Sequence, residues 1–505
     1  MHQSGSILLV SCYELGHQPL AIASPAGFLE RAGYSPSVLD LSVSTLDEEN
    51  IARAAFIGIS VPMHTALRLA VPAAERIRKI NPACHICFYG LYAALNSDFL
   101  LEHYADSTIA GEFEEPLLAL VERLSRLDTQ NHTCTLDIDG VSLRKRTRPP
   151  YLKRTRFASP VYRGLPKLES YAQLAHDGTQ RLAGYVEASR GCLHRCLHCP
   201  ITPVYEGRFF VVPEEIVLEG IRGFVSEGAT HITFGDPDFL NGPGHSLRIV
   251  KAMHAEVPNI TFDFTAKVEH LLKRRALLPA FADAGCLFAI SAFESLSDIV
   301  LGNLNKGHSR EDIYELLGIF KNTGITLRPT WVPFTPWTTI DDYVDLLEFI
   351  SAGQLIHNID PVQYSIRLLV PPGSALLTHG GIKPLLGPLD QPSFTYRWTH
   401  PDPRMEELQE SVSEAVEQMT QSQETTFAMF ERVRQLAYEA RGEVARPLQP
   451  DLCVQKDLPR LTESWFCCAE PTKSQFGLLQ LQNTNTGTSN CVSNEIGGIS
   501  RCHGS

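Results

Sequence analysis

Short runs of consecutive apolar residues alternate with helical patterns over the first 127 residues. The apolar runs predict strands at residues 6–10, 56–60, 84–90 and 107–111, and helices at 19–32, 65–79 and 114–127. Continuous apolar strands separated by helices are typical of a parallel sheet that is covered on both faces. The pattern therefore predicts an α/β, doubly wound, Rossmann-like domain whose ligands bind at the carboxyl ends of the strands.

A second series of alternating strands and helices begins near residue 184. Strands are predicted at 184–189, 231–234, 260–265, 287–292, 326–332 and 361–368, and helices at 213–226, 269–284, 310–322 and 341–352. Six such units predict a partial (β/α)6 barrel, in which ligands again bind at the C-terminal ends of the strands.

The same pattern divides the chain into five parts. We predict a doubly wound domain over 1–127, a connector over 128–182, the partial barrel over 183–400 and a mainly helical or irregular region over 401–473. Residues 474–505 are rich in Asn, Thr, Ser and Gly and are expected to be disordered. The connector carries a basic run at 144–148, which we interpret as a solvated linker face rather than a nucleic-acid site.

Composition narrows the possible partners. The chain has 505 residues and a formal net charge of −13, which disfavours a nucleic-acid or anionic-membrane binder. No apolar run approaches the roughly 18 residues that span a bilayer, so we expect a cytoplasmic protein without membrane contact. In a reducing compartment its 13 cysteines are not a disulfide framework, and some of them are expected to bind metal or to react.

Three of these cysteines form the strongest local motif. Cys192, Cys196 and Cys199 follow a predicted strand in the spacing Cys-x3-Cys-x2-Cys. Three thiolates in one compact loop suit an iron–sulfur cluster, and a fourth iron left open suits catalysis. The alternative is a structural zinc site completed by His194 or His198, although no second Cys-x2-Cys follows downstream.

At these residues the chain resembles the radical S-adenosylmethionine (SAM) superfamily, whose signature is this loop after the first barrel strand. The resemblance implies a [4Fe–4S] cluster on Cys192, Cys196 and Cys199, and SAM as the second cofactor. It further implies SAM contacts from Gly235 and Asp236, where the superfamily usually has Gly-Gly-Glu, and from Ser291 and Glu294 on the fourth strand. His198 stands where an aromatic residue is usual, with adenine as its expected contact.

A doubly wound domain ahead of such a barrel resembles the cobalamin-binding class of the superfamily. The Asp-x-His-x-x-Gly motif of cobalt-ligating domains is absent, and the corresponding stretch ends in His17. Two interpretations stay open, a domain that binds cobalamin and a relic domain that only shapes the active site. The superfamily's chemistry also implies an external reductant such as flavodoxin or ferredoxin.

The segment 465–471, Trp-Phe-Cys-Cys-Ala-Glu-Pro, resembles the defining tail of the CUAEP/CCAEP-tail radical SAM family. Some members of that family have selenocysteine at one of the two cysteine positions. The resemblance implies that Cys467 and Cys468 are reactive or soft-element-binding thiolates at the active site, with Cys453 as a third sulfur. Unlike the family pattern, this chain continues for 34 residues after Pro471.

These features favour a radical SAM transferase acting on a small substrate held by the tail thiols. Trivalent arsenic is the most concrete substrate, with transfer of the 3-amino-3-carboxypropyl group of SAM, because soft thiolates prefer soft atoms. The alternatives are a cobalamin-dependent radical SAM methyltransferase or another natural-product enzyme, and, outside enzymes, a zinc-stabilised binding protein. RNA modification is disfavoured by the overall charge.

Overall fold

The computed structural model describes residues 1, 3–127, 137–448 and 457–463. The N-terminal part is a six-stranded sheet in the order β2-β1-β3-β4-β5-β6. Its first five strands are parallel and the sixth is antiparallel. Its strands are β1 Ile7–Ser11, β2 Ser37–Asp40, β3 Phe56–Ser60, β4 His85–Tyr89, β5 Ser107–Ile109 and β6 Val141–Leu143. Its helices are α1 Leu20–Arg31, α2 Glu48–Arg53, α3 His64–Ile80, α4 Leu91–Leu95, α5 Ser97–His103 and α6 Glu114–Leu127.

Both faces of this sheet are packed. Successive residues of β1 enter opposite hydrophobic clusters, Leu8 and Val10 on one face and Ile7 and Leu9 on the other. The strand is therefore apolar from Ile7 to Val10, and this burial on both faces explains why it could be predicted from sequence.

The second part is a sheet in the order β14-β13-β12-β11-β8-β7-β17, curled into a half-barrel. Strands β8, β11, β12, β13 and β14 are parallel, while β7 and β17 add an antiparallel edge. The strands of this region are β7 Gln173–His176, β8 Thr179–Val186, β9 Ser189–Gly191, β10 Phe209–Val211, β11 His231–Phe234, β12 Thr261–Thr265, β13 Cys286–Glu294, β14 Thr326–Trp331, β15 Leu386–Asp390, β16 Thr395–Trp398 and β17 Arg460–Leu461.

Helices cover the outer face of the half-barrel and continue into the C-terminal region. They are α7 Thr202–Tyr205, α8 Glu214–Ser226, α9 Pro243–Glu256, α10 Val268–Lys273, α11 Leu278–Asp283, α12 Asp298–Asn303, α13 Arg310–Phe320, α14 Ile340–Ala352, α15 Pro403–Gln421 and α16 Thr426–Arg441. A core of buried phenylalanines, among them Phe234, Phe262 and Phe264, fills the space between strands and helices. No helix in the described parts of the chain is long and apolar enough to cross a membrane.

The predicted α/β class and the half-barrel are confirmed, but the sixth barrel strand is not formed as predicted. Residues 361–368 begin with a 3-10 turn at Pro361–Tyr364, and only an isolated bridge joins Arg367 to Phe334. The edge of β14 is satisfied in another way, because the backbone N–H of Trp331 donates to the side chain of Gln363 at 2.9 Å. A side-chain amide thus takes the place of a strand partner.

Candidate active site

The three cysteines lie in a loop that is anchored by its backbone on several sides. Strands β9 and β10 pair before and after it, and the N–H of Cys192 donates to the carbonyl of Arg208 at 3.1 Å. The N–H of Leu197 donates to the carbonyl of Leu304, and Asn305 donates to the carbonyl of Arg195. The loop is therefore tied to the turn that follows α12.

The donor set of this loop fits a [4Fe–4S] cluster. None of Cys192, Cys196 and Cys199 forms a disulfide, and Cys196 is buried while the other two are half-buried. Burial, with Asp238 nearby, raises the pKa of the Cys192 thiol to about 12, so a thiolate there requires a cation. Both histidines of the alternative Cys3His zinc site point elsewhere: His198 contacts Glu294, and His194 contacts Asp238 and His270.

A buried ion pair stands beside the loop. Lys306 donates to Glu294 at 3.0 Å, and His198 Nε2 lies 3.2 Å from the same carboxylate oxygen. Burial raises the pKa of Glu294, but Lys306 and His198 outweigh it and hold that pKa well below its usual range. Glu294 also has a positive φ of 64°, a backbone conformation that is uncommon in residues other than glycine. Glu294 is thus a fixed, ionised acceptor at the cysteine loop.

The other predicted SAM-binding residues occupy different places. Asp236 is buried and accepts hydrogen bonds from the N–H of Ala188 and the hydroxyl of Ser189, so its side chain fixes the strand end ahead of the cysteine loop. Gly235 lies against Tyr185, whose ring would be 2.2 Å from an added Cβ.

Ser291 is not brought to the loop. Its neighbours in the strand alternation, Ala289 and Phe293, belong to the helix-facing core, so Ser291 faces that layer as well. Its buried hydroxyl makes no hydrogen bond within the described residues.

The SAM-binding roles of Gly235, Asp236, Ser291 and Glu294 stay predictions, and so does the division into domains. Cys453, Cys467 and Cys468 lie outside the described residues.

Sequence reasoning missed the joint between the N-terminal sheet and the cysteine loop. Arg190, two residues before Cys192, forms ion pairs with Glu114, with Glu112 at 3.6 Å and with Glu187 at 2.8 Å. Tyr205, which follows the loop, donates to Glu112 at 2.8 Å. Because Glu112 and Glu114 follow β5, the carboxyl edge of the N-terminal sheet meets the cysteine loop directly.

We expect Arg190→Met to destabilise the fold strongly, because it leaves the buried carboxylates of Glu112 and Glu114 and the half-buried one of Glu187 without their common cation. The expected loss is about 3–5 kcal/mol in the free energy of unfolding, measured by urea titration with iron content followed in parallel. Arg222→Ala is the matched control, because it removes an exposed pair with Glu256 and should cost less than about 1 kcal/mol. A loss of under 1 kcal/mol for Arg190→Met would contradict this account of the joint.

The same joint predicts a pH dependence. The pKa of Glu112 is raised from 4.5 to about 7, mainly because the carboxyl is buried. The positive charge of Arg190 lowers this pKa, and the negative charge of Glu114 raises it further. The folded state therefore binds more protons than the unfolded state between these two values, and stability falls as the pH rises through this window. Between pH 5 and 8, the free energy of unfolding should fall by roughly 1–3 kcal/mol more in the wild type than in Glu112→Gln. Urea titrations across this range measure the difference, and parallel pH profiles for the two proteins would refute it.

A second contact surface joins the two parts. The ring of His17, in the loop after β1, stacks on Tyr185 with 4.3 Å between centroids. Burial, with His231 as a further contributor, lowers the pKa of His17 to about 3. His17 is therefore a buried, neutral packing residue.

Comparison with known proteins agrees with this geometry. Residues 186–350 match the family model of the Radical SAM superfamily. The chain therefore carries a radical SAM enzyme domain, and its cofactors are a [4Fe–4S] cluster and SAM. A protein of Methanocaldococcus jannaschii named "Putative methylthiotransferase" is 25% identical over 201 residues, which are 37% of this chain and 42% of the relative. The chain thus spans about two fifths of that relative.

Two solved structures share the two-part fold. The cobalamin-dependent SAM radical enzyme OxsB, with aqua-cobalamin and SAM bound, is 16% identical, with a TM-score of 0.64 over 82% of this chain and 66% of that one. The radical SAM methyltransferase TsrM from Kitasatospora setae, with tryptophan and a SAM analogue bound, is 18% identical, with a TM-score of 0.56 over 69% of this chain and 71% of that one. At these identities the likeness establishes the fold.

Proposed function

We propose that the protein is a radical SAM transferase that moves a SAM-derived group to a small substrate bound between the half-barrel and the N-terminal sheet. The observation that carries this proposal is the buried joint of Arg190 and Tyr205 with Glu112 and Glu114. It holds the cysteine loop against the carboxyl edge of the N-terminal sheet, where doubly wound sheets bind ligands.

Each part of the site has a distinct task in this proposal. Cys192, Cys196 and Cys199 hold the cluster, which when reduced supplies the electron that breaks a carbon–sulfur bond of SAM. Glu294, kept ionised by Lys306, accepts hydrogen bonds from SAM, and His198 packs against its adenine. The apolar core behind β13 and β14 keeps water from that side of the site. We propose flavodoxin or ferredoxin as the electron donor.

For the substrate we propose trivalent arsenic, bound by Cys467 and Cys468. The last described residues support a role for this thiol pair at the site, because they lie beside it. Strand β17 pairs with β7, and Glu463, four residues before Cys467, accepts a 2.5 Å hydrogen bond from Tyr13 at the carboxyl end of β1. Soft thiolates are the protein ligands best suited to a soft element.

The proposed net reaction is balanced without a further reagent. The 3-amino-3-carboxypropyl carbon leaves the sulfonium of SAM and bonds to arsenic, releasing methylthioadenosine. Arsenic is oxidised from As(III) to As(V) while the sulfonium carbon is reduced by two electrons, and one proton is released. The electron that begins the cleavage is returned at the end, so reductant is needed only for activation.

The test is the identity of the nucleoside product. Anaerobically reconstituted protein is incubated with SAM, a strong reductant and arsenite, and the nucleosides are separated and identified by mass spectrometry. Arsenite-dependent methylthioadenosine, together with an arsenic species carrying the aminocarboxypropyl group, is the expected result. Only 5′-deoxyadenosine, unchanged by arsenite, would exclude this transfer.

The two-part fold favours a second candidate, cobalamin-dependent methyl transfer. A corrinoid would bind at the carboxyl edge of the N-terminal sheet, as in that fold class, but His17 does not fit as a cobalt ligand because its ring is stacked on Tyr185. Purification after growth with cobalamin, followed by acid extraction and mass spectrometry, tests this candidate. One corrinoid per chain, together with formation of a methylated product, would favour cobalamin-dependent methyl transfer over arsenic chemistry.

A further inference from the structure

Three potential metal ligands outside the cysteine set converge from different segments. His194 belongs to the cysteine loop, Asp238 follows β11 and His270 lies in α10. His270 Nδ1 is 2.9 Å from Asp238 Oδ2, His194 Nε2 is 3.4 Å from His270 Nδ1, and His194 Nε2 is 3.6 Å from Asp238 Oδ2. The three atoms form a triangle with sides between 2.9 and 3.6 Å.

The sides of this triangle match those of a metal coordination shell. Imidazole nitrogens and carboxylate oxygens bind zinc at about 2.0–2.2 Å, so neighbouring ligand atoms lie about 3.0 Å apart in an octahedron and about 3.4 Å apart in a tetrahedron. The observed 2.9, 3.4 and 3.6 Å span these values. Bringing three such side chains around one ion would need little movement.

Hydrogen bonding alone accounts for the arrangement less well. Asp238 Oδ1 already accepts from the N–H of Leu240, and Oδ2 accepts from the N–H of Lys267 at 3.2 Å. If both imidazoles also donated to Oδ2, their two N–H groups would converge on one oxygen that already accepts from Lys267, with the two nitrogens 3.4 Å apart. A cation bound to both nitrogens and to Oδ2 removes that repulsion.

The surroundings are those of a metal-ligating histidine. The other ring nitrogen of His194 lies 3.5 Å from Glu269, which is held by Lys267 and Lys273. A carboxylate behind a ligating imidazole orients the ring and raises its basicity. Asp238 is fully buried, whereas the side chains of His194 and His270 are each 13% exposed, so water can complete the coordination shell.

We propose that His194, Asp238 and His270 form a mononuclear site for a divalent transition-metal ion such as Zn²⁺ or Fe²⁺, separate from the cluster on Cys192, Cys196 and Cys199. Two imidazoles and a carboxylate are a normal ligand set for these ions. The site ties the cysteine loop to the end of β11 and to α10. It does not depend on the transfer reaction proposed above.

Metal analysis of the reconstituted full-length protein tests the site. The protein is equilibrated with Zn²⁺ at about 10 μM free concentration, and zinc and iron per chain are measured by mass spectrometry. We expect one zinc beyond the cluster iron in the wild type and none in His270→Ala, with unchanged cluster iron. His103→Ala is the matched control, because His103 is an exposed histidine of the N-terminal part and should keep the zinc.

X-ray absorption at the zinc edge separates this site from zinc bound by the cysteines. Nitrogen and oxygen scatterers at about 2.0–2.2 Å support the proposal, whereas sulfur at about 2.3 Å overturns it. Absence of stoichiometric zinc in the wild type also overturns it, as does zinc retained by His270→Ala. If that variant is poorly folded, His270→Gln and Asp238→Asn give the same comparison, and retention of zinc by both rejects the site.

Discussion

Replacing Cys196 with alanine is expected to abolish the [4Fe–4S] cluster and all reductive cleavage of SAM. Cys196 is the most buried of the three loop cysteines, with 6% of its surface exposed. The loop is anchored through its backbone, so the substitution removes a ligand without releasing the loop. Iron and sulfide per chain and the brown absorbance of the reconstituted protein measure the loss, and nucleoside formation should fall below detection.

The matched control for Cys196→Ala is Cys286→Ala. Cys286 is also a buried cysteine of the half-barrel, but it lies at the first position of β13, where its thiol donates to the carbonyl of Phe288. Its replacement should keep the cluster and the activity and should cost about 1 kcal/mol of stability. A cluster retained in Cys196→Ala, or lost in Cys286→Ala, would show that these cysteines have been given the wrong roles.

The elements that could be predicted from sequence are those whose burial leaves a local pattern. Strands β1 and β3 are packed on both faces, and their predicted bounds agree with the structure within one residue. Strand β2, Ser37–Asp40, was not predicted, because it is half-buried at the sheet edge and carries only two apolar residues. An edge strand of this kind leaves no continuous apolar run.

The sixth barrel strand is the reverse case, because a strand is predicted there and the structure does not form one. Residues 361–368 contain an apolar pattern, and their aromatic residue Tyr364 is buried as a strand residue would be. Burial here comes from a 3-10 turn packed under α15 and α16 rather than from pairing in the sheet. The pattern of apolar residues indicates that a segment is buried, but not which element it packs against. A strand could therefore not be distinguished from a buried turn at these residues.

For the site, sequence supplied the local motif but not its long-range partners. The cysteines lie within eight residues and were recognisable by spacing, and Glu294 was recognisable with them. Arg190 and Glu114 are 76 residues apart, as are His194 and His270. No spacing rule connects residues at such separations, and only the packing of the two sheets and of α10 brings them together.

Replacing both Cys467 and Cys468 with serine is expected to remove turnover with arsenite. Serine hydroxyls are hard, un-ionised donors and do not retain a soft trivalent element. We expect arsenite-dependent methylthioadenosine formation to fall at least about 100-fold, equivalent to roughly 2.7 kcal/mol in the barrier. Cleavage of SAM without arsenite should stay within about twofold of the wild type, because the cluster cysteines and Glu294 are unchanged.

The control uses the two cysteines that follow the motif. Cys491→Ser with Cys502→Ser makes the same chemical change within the last 34 residues and should leave arsenite turnover unchanged. If the double variant of Cys467 and Cys468 turned over at the wild-type rate, the thiol pair would have no part in binding the substrate. If both double variants lost turnover equally, arsenite would be bound by thiols in general and not by Cys467 and Cys468 in particular. That outcome would also contradict the proposed site. Loss confined to Cys467 and Cys468, with SAM cleavage retained, would place substrate binding on the pair itself.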